Sequence, residues 1–246
     1  MFKKLIFGLS LWLFATTLSF GANFDDGYSA IEKGDYKTAF TIFEDLASKG
    51  NKGAQYNLGL MYSNGQGVKQ DYKKAIEWYE KAATQGVAEA QYNLGLMYDN
   101  GYGVRQDYKK AFEWYEKAAS QGDATAQYNL GVMYERGEGV RQDYKKAFEW
   151  WEKAATQGYA KAQYNLGLMY SIGQDVKQDY KKAFEWYEKA ANQGYAKAQF
   201  NLGLMYVKGE GVRQDYKRAK EWFGKACDGG YQEGCDAYKI LNQEGY

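Results

Sequence analysis

The sequence contains no proline and no histidine, and only two of its 246 residues are cysteine. Without proline, nothing in the chain forces a helix kink or a cis peptide bond. Without histidine, the usual acid–base group near neutral pH and the commonest metal ligand are both missing. With so few thiols besides, no metal site and no cofactor is expected. Neither sign of charge is in excess: 32 Lys and Arg face 31 Asp and Glu, for a formal net charge of +1. No basic surplus points to nucleic acid, and no acidic block points to a disordered tail. Long apolar runs are also scarce. The exception follows Lys3 and Lys4 and extends from Leu5 to Phe20. It is short for a membrane span. Ser19 and Gly21 stand at the −3 and −1 positions of a cut, so residues 1–21 read as a secretory signal peptide, with a membrane anchor as the other reading. We expect export to the periplasm or the medium, with no stable membrane span once the leader is removed.

Against these absences stands one strong presence. The stretch Ala54-Gln-Tyr-Asn-Leu-Gly-Leu-Met-Tyr62 and the run from Asp71 to Ala83 return every 36 residues. Gly59 returns as Gly95, Gly131, Gly167 and Gly203; Ala75 returns as Ala111, Ala147, Ala183 and Ala219. A fixed period of this length marks a solenoid. Ala54, Leu58, Met61 and Tyr62 fall on one helical face, and Tyr72, Ala75, Ile76, Tyr79, Ala82 and Ala83 on another. Gly65 and Gly67 can turn the chain between the two helices. Asp71 and its copies suit the N-cap of the second helix, and Gly86 and its copies suit its end. One loop departs: Asp175 stands where the other units have a second glycine, which predicts a distorted turn. On the outer face, Lys73, Glu77 and Lys81 have the spacing of weak i,i+4 ion pairs.

The predicted fold is therefore all-α, an α–α superhelix of antiparallel helix pairs. We divide it into a short first repeat over 22–50, five units of 36 residues over 51–230, and a capping helix over 231–246.

The motif A-x-A-Q-Y-N-L-G-L-M-Y, then G-x-G-V-[KR]-Q-D-Y-K-K-A, then E-W-[YW]-E-K-A-A, resembles the Sel-one-like repeat family. That family is a relative of tetratricopeptide repeats with a longer inter-helix loop. The first unit, with its short loop, looks more like a tetratricopeptide repeat itself. The resemblance implies a scaffold that binds proteins or peptides on a concave face lined by first helices. In related repeats an asparagine at the matching place holds a ligand's backbone. This carries over to Asn57, Asn93, Asn129, Asn165 and Asn201; an Asn bonded to its own helix or the next is the alternative. Positions that differ between copies are the candidates for specificity. Glu89, Lys161 and Lys197 share one column, and Asp99, Glu135 and Arg136 fall in two others. They drift from acidic to basic along the chain.

Cys227 and Cys235 fall late in one second helix and early in the next first helix. Adjacent antiparallel helices in an oxidising compartment predict a disulfide, the alternative being two reduced buried thiols. The placement is similar to that in secreted Helicobacter-type cysteine-rich repeat proteins, some of which carry a β-lactamase or penicillin-binding label. That resemblance supplies the rival reading, a hydrolase or binder of β-lactams or cell-wall peptide. The residues do not carry it: there is no Ser-x-x-Lys and no Gly-Lys-Ser/Thr, and the Gly-x-Gly pairs follow no strand. The expectation is a monomeric scaffold with a protein or peptide partner, no nucleic acid, and no catalytic residues of its own.

Overall fold

Each unit folds as a helix pair because neither apolar stripe can be buried except against its twin and its neighbours. The computed structural model describes residues 23–246, so the expected leader over 1–21 lies outside the described residues. Among the described residues there are thirteen α-helices and no strand. They are α1 (Phe24–Glu32), α2 (Tyr36–Ser48), α3 (Lys52–Asn64), α4 (Tyr72–Thr84), α5 (Ala88–Asn100), α6 (Tyr108–Ser120) and α7 (Ala124–Arg136). Then come α8 (Tyr144–Thr156), α9 (Ala160–Ile172), α10 (Tyr180–Asn192), α11 (Ala196–Lys208), α12 (Tyr216–Asp228) and α13 (Gln232–Gln243). Odd-numbered helices from α3 to α11 are the first helices of their units. Each packs on its own second helix and on the second helix of the unit before.

The boundaries have local causes. Asp71 accepts the N–H groups of Lys73 and Lys74, and Asp107, Asp143, Asp179 and Asp215 cap their helices in the same way. Gly65 and Gly67 both sit at φ 71°, which turns the chain out of α3. Asp175 takes a left-handed φ of 52°, alone among the non-glycine residues described. The expected distortion is thus an aspartate held in glycine's conformation.

Small and large residues interlock within each pair. Gly95 lies flat against the ring of Tyr115, and an added Cβ would fall 2.5 Å from it. Gly131 does the same with Trp151 and Gly203 with Phe223. Between units a polar link adds to the apolar packing. Gln91 donates from Nε2 to the Ala83 carbonyl at 3.0 Å and accepts from Gln121 at 2.7 Å. Gln55, Gln127 and Gln163 repeat both bonds. At the last copy Gly229 stands where a glutamine would be, and the buried Oε1 of Gln199 has no partner. There the chain is joined covalently instead. Cys227 of α12 and Cys235 of α13 form the expected disulfide, with Cα atoms 4.5 Å apart.

The outer-face ion pairs did not form. The ion pairs among the described residues are Lys49–Asp45, Arg136–Glu138, Lys208–Glu210 and Arg218–Asp215. Lys81 instead lies over the indole of Trp78 at 3.8 Å, and Lys117, Lys153, Lys189 and Lys225 repeat the contact. A cation over an indole contributes about 0.5–1 kcal/mol at an exposed site, whereas a helical ion pair contributes only about 0.2–0.5 kcal/mol.

Candidate functional site

The first helices place the candidate residues in three rows. Glu89, Lys161 and Lys197 lie one residue inside the start of α5, α9 and α11, and all three are exposed. Asp99, Glu135 and Arg136 lie at the far ends of α5 and α7. Ten helical positions separate Glu89 from Asp99, about 15 Å of rise. The two charged sets are therefore opposite rims of one face, and the structure does not bring them together.

The asparagines form the middle row. Asn57 is buried; its amide donates to the Gly53 carbonyl at 2.9 Å and to the Tyr28 hydroxyl at 3.3 Å. Asn93 stands against the hydroxyls of Tyr56 and Tyr79, Asn129 against Tyr92 and Tyr115, and Asn201 against Tyr164 and Tyr187. Each thus faces phenols of the unit before it. Asn165 differs. Trp151 occupies the second-helix position, and its indole N–H donates to the Tyr128 carbonyl at 3.1 Å, so no phenol from that helix meets Asn165. All but Asn57 stay half-buried.

At the far rim, Asp99, Asn100, Asn129, Arg136 and Glu138 line a recess of about 230 Å³. The Tyr115 hydroxyl donates to Asp99 at 3.2 Å. Burial pushes the Asp99 carboxyl up, against the pull of that bond and of Arg136. Burial likewise raises Glu135, with Arg136 opposing. Asn93, Tyr79, Asn100 and Tyr102 line a second recess of about 470 Å³ one unit earlier. No group of three or more His, Cys, Asp or Glu side chains among the described residues is placed to hold a metal ion. No described helix is long and apolar enough to cross a membrane.

Five consecutive stretches, 53–87, 88–123, 124–159, 160–195 and 196–231, match the family model of the Sel1 repeat. The chain belongs to the Sel1 repeat family. No curated protein matches it. Among solved structures it is similar to c5321, described as a protective antigen present in uropathogenic Escherichia coli strains displaying an SLR fold. The identity is 37%, the TM-score 0.87, and the alignment covers 90% of this chain but 48% of that one. The chain thus spans about half the length of that relative. A Sel1 repeat protein from Oxalobacter formigenes is 34% identical, with a TM-score of 0.82 and 89% of each chain covered. Helicobacter pylori cysteine rich protein B is 29% identical over 55% of this chain and 98% of its own, with a TM-score of 0.44.

Sequence reasoning missed the buried glutamines. Their signal was present: a glutamine between an alanine and an aromatic residue in every copy, matched in four of the five by another thirty residues later.

Proposed function

We propose that this Sel1 repeat protein is an exported scaffold that binds a protein or peptide along its first-helix face, the concave side of the superhelix. One observation carries the reading. The apolar residues of each unit are buried against its own pair and its neighbours, while the first-helix face keeps exposed charges that change from unit to unit. A surface that varies over an invariant frame suits recognition by an array. The half-exposed amide row suits an extended backbone lying across it. The disulfide supports an oxidising compartment, hence export, and a monomer is the simplest state of such an array.

Purified, disulfide-intact protein immobilised as bait in envelope extract tests the proposal. The expected result is a saturable protein or peptide partner, identified by mass spectrometry and competed by free bait. Turnover of a β-lactam or a cell-wall peptide by the same preparation, without such a partner, would overturn it in favour of the hydrolase reading.

A further inference from the structure

Along one edge of the first-helix face, the later units depart from the earlier ones. The residue before the first helix is Asn51, Val87 or Asp123 in the early units, but Tyr159, Tyr195 or Tyr231 before α9, α11 and α13. Asn51 and Asp123 cap their helices; the three tyrosines make no cap hydrogen bond. Each ring packs instead on an aromatic of the preceding first helix. Tyr159 meets Tyr128 at 5.2 Å, Tyr195 meets Tyr164 at 5.3 Å, and Tyr231 meets Phe200 at 5.2 Å. All three tyrosines stay partly exposed. The Tyr159 hydroxyl reaches Thr125. One and two units on, Thr125's column holds Lys161 and Lys197, both exposed and neither in an ion pair among the described residues. α9 and α11 carry lysines and no acid, whereas α5 carries Glu89 and Asp99 and no base, and on α13 the same column turns acidic again with Glu233.

We propose that this tyrosine–lysine edge of α9 and α11 is a docking strip for an acidic peptide segment in extended conformation. The inference deepens the proposed function and rests on it. Charge selects the occupant: two unpaired ammonium groups with no acid on their own helices favour carboxylates, and the acidic α5 repels the same segment. The rings beside the lysines offer apolar contact with a polar tip. Asn165, one turn beyond Lys161, presents a half-exposed amide to a passing backbone. Spacing narrows the pattern. The Tyr164–Tyr195 ring contact at 5.3 Å brings the α11 start close to α9, and three residues of extended chain span about 10 Å. Carboxylates at every third residue therefore match consecutive units.

The test uses the whole disulfide-intact protein and three short fluorescein-labelled peptides, with Asp, Asn or Lys at every third position. Fluorescence anisotropy should show the Asp peptide binding about tenfold or more tighter than the Asn peptide, with the Lys peptide weakest. Salt should erode the preference. Lys161→Glu with Lys197→Glu should abolish it, Lys161→Gln with Lys197→Gln should weaken it, and Glu80→Lys, on the exposed outer side of α4, should leave it intact. Unchanged thermal melts would show that the variants fold. Equal binding of the Asp and Asn peptides, or Asp-peptide binding that survives the double reversal, would overturn the proposal. If that happens while envelope capture still yields a partner seated on the first-helix face, this inference falls and the proposed function stands. If neither binds, both fall.

Discussion

Gln85 donates a 2.7 Å hydrogen bond from Nε2 to Oε1 of Gln55, thirty residues earlier, and Gln55 donates in turn to the Ala47 carbonyl. One buried side chain thus connects the second helix of the preceding unit, its own first helix and the end of its own second helix. Buried polar groups cost free energy unless paired, so this ladder fixes which helix ends may meet. It gives an apolar solenoid a polar register.

Gln127→Leu should therefore destabilise the protein by about 1 kcal/mol, because it removes two hydrogen bonds, although the Ala119 carbonyl keeps its bond from the Gly122 N–H and the exposed Gln157 amide can turn to water. Gln199→Leu should cost less, since its Oε1 already lacks a partner. Urea denaturation compares the two. Equal losses would show that the ladder contributes nothing beyond shape.

Gly95→Ala should also destabilise. In an open helix the change gains about 1 kcal/mol of propensity. Here the new Cβ meets the Tyr115 ring, fixed in the core, and overpacking costs about 1–3 kcal/mol. A raised melting temperature would mean that the ring yields freely.

Asp175→Gly should stabilise by about 0.5–1 kcal/mol. The sister residues Gly67, Gly103, Gly139 and Gly211 sit at φ 69–72°, and side chains rarely adopt this region. A fall in melting temperature would reveal a native contact of the Asp175 carboxylate that outweighs the backbone strain.

Alkaline pH should unfold the protein over a defined window. Burial pushes the Tyr128 and Tyr187 hydroxyls up to about 12, and Tyr115 higher still, helped by Asp99. In the unfolded chain such phenols ionise near 10. The native state holds these protons more tightly, so its stability is complete below pH 10 and declines as pH rises toward 12. Phenolate absorbance should appear in two classes, the second together with loss of helical circular dichroism. One class titrating near pH 10 in folded protein would contradict the burial.

Reduction should loosen the last helix. The Cys227–Cys235 bond closes a short loop at the end where the glutamine ladder stops. Such a bond contributes about 2–3 kcal/mol. Hydrogen exchange in α13 should accelerate on reduction while α5 to α8 stay protected; uniform acceleration would show that the bond holds the whole array.

Much of this was legible in the sequence. The 36-residue period, the glycine turns and the Asp71-type caps are local signals, and each reappears as a helix pair, a left-handed φ or a capped end. The glutamines were not legible in the same way, because a long polar side chain reads as surface until two of them are seen to meet across units. Lys81 was placed with Glu77 by spacing, yet the neighbouring Trp78 offers the better contact. At the candidate face, the asparagine row was visible, but its tyrosine partners lie a full unit away. Trp151 could be read, but not its effect on Asn165, which depends on how two units pack.

Site-specific photocrosslinking tests the central claim most directly. A photoreactive residue is placed at position 100, on the first-helix face, or at position 80, on the exposed outer side of α4. The account predicts that a partner from envelope extract crosslinks from position 100 and not from position 80. Crosslinking from position 80 alone would contradict it.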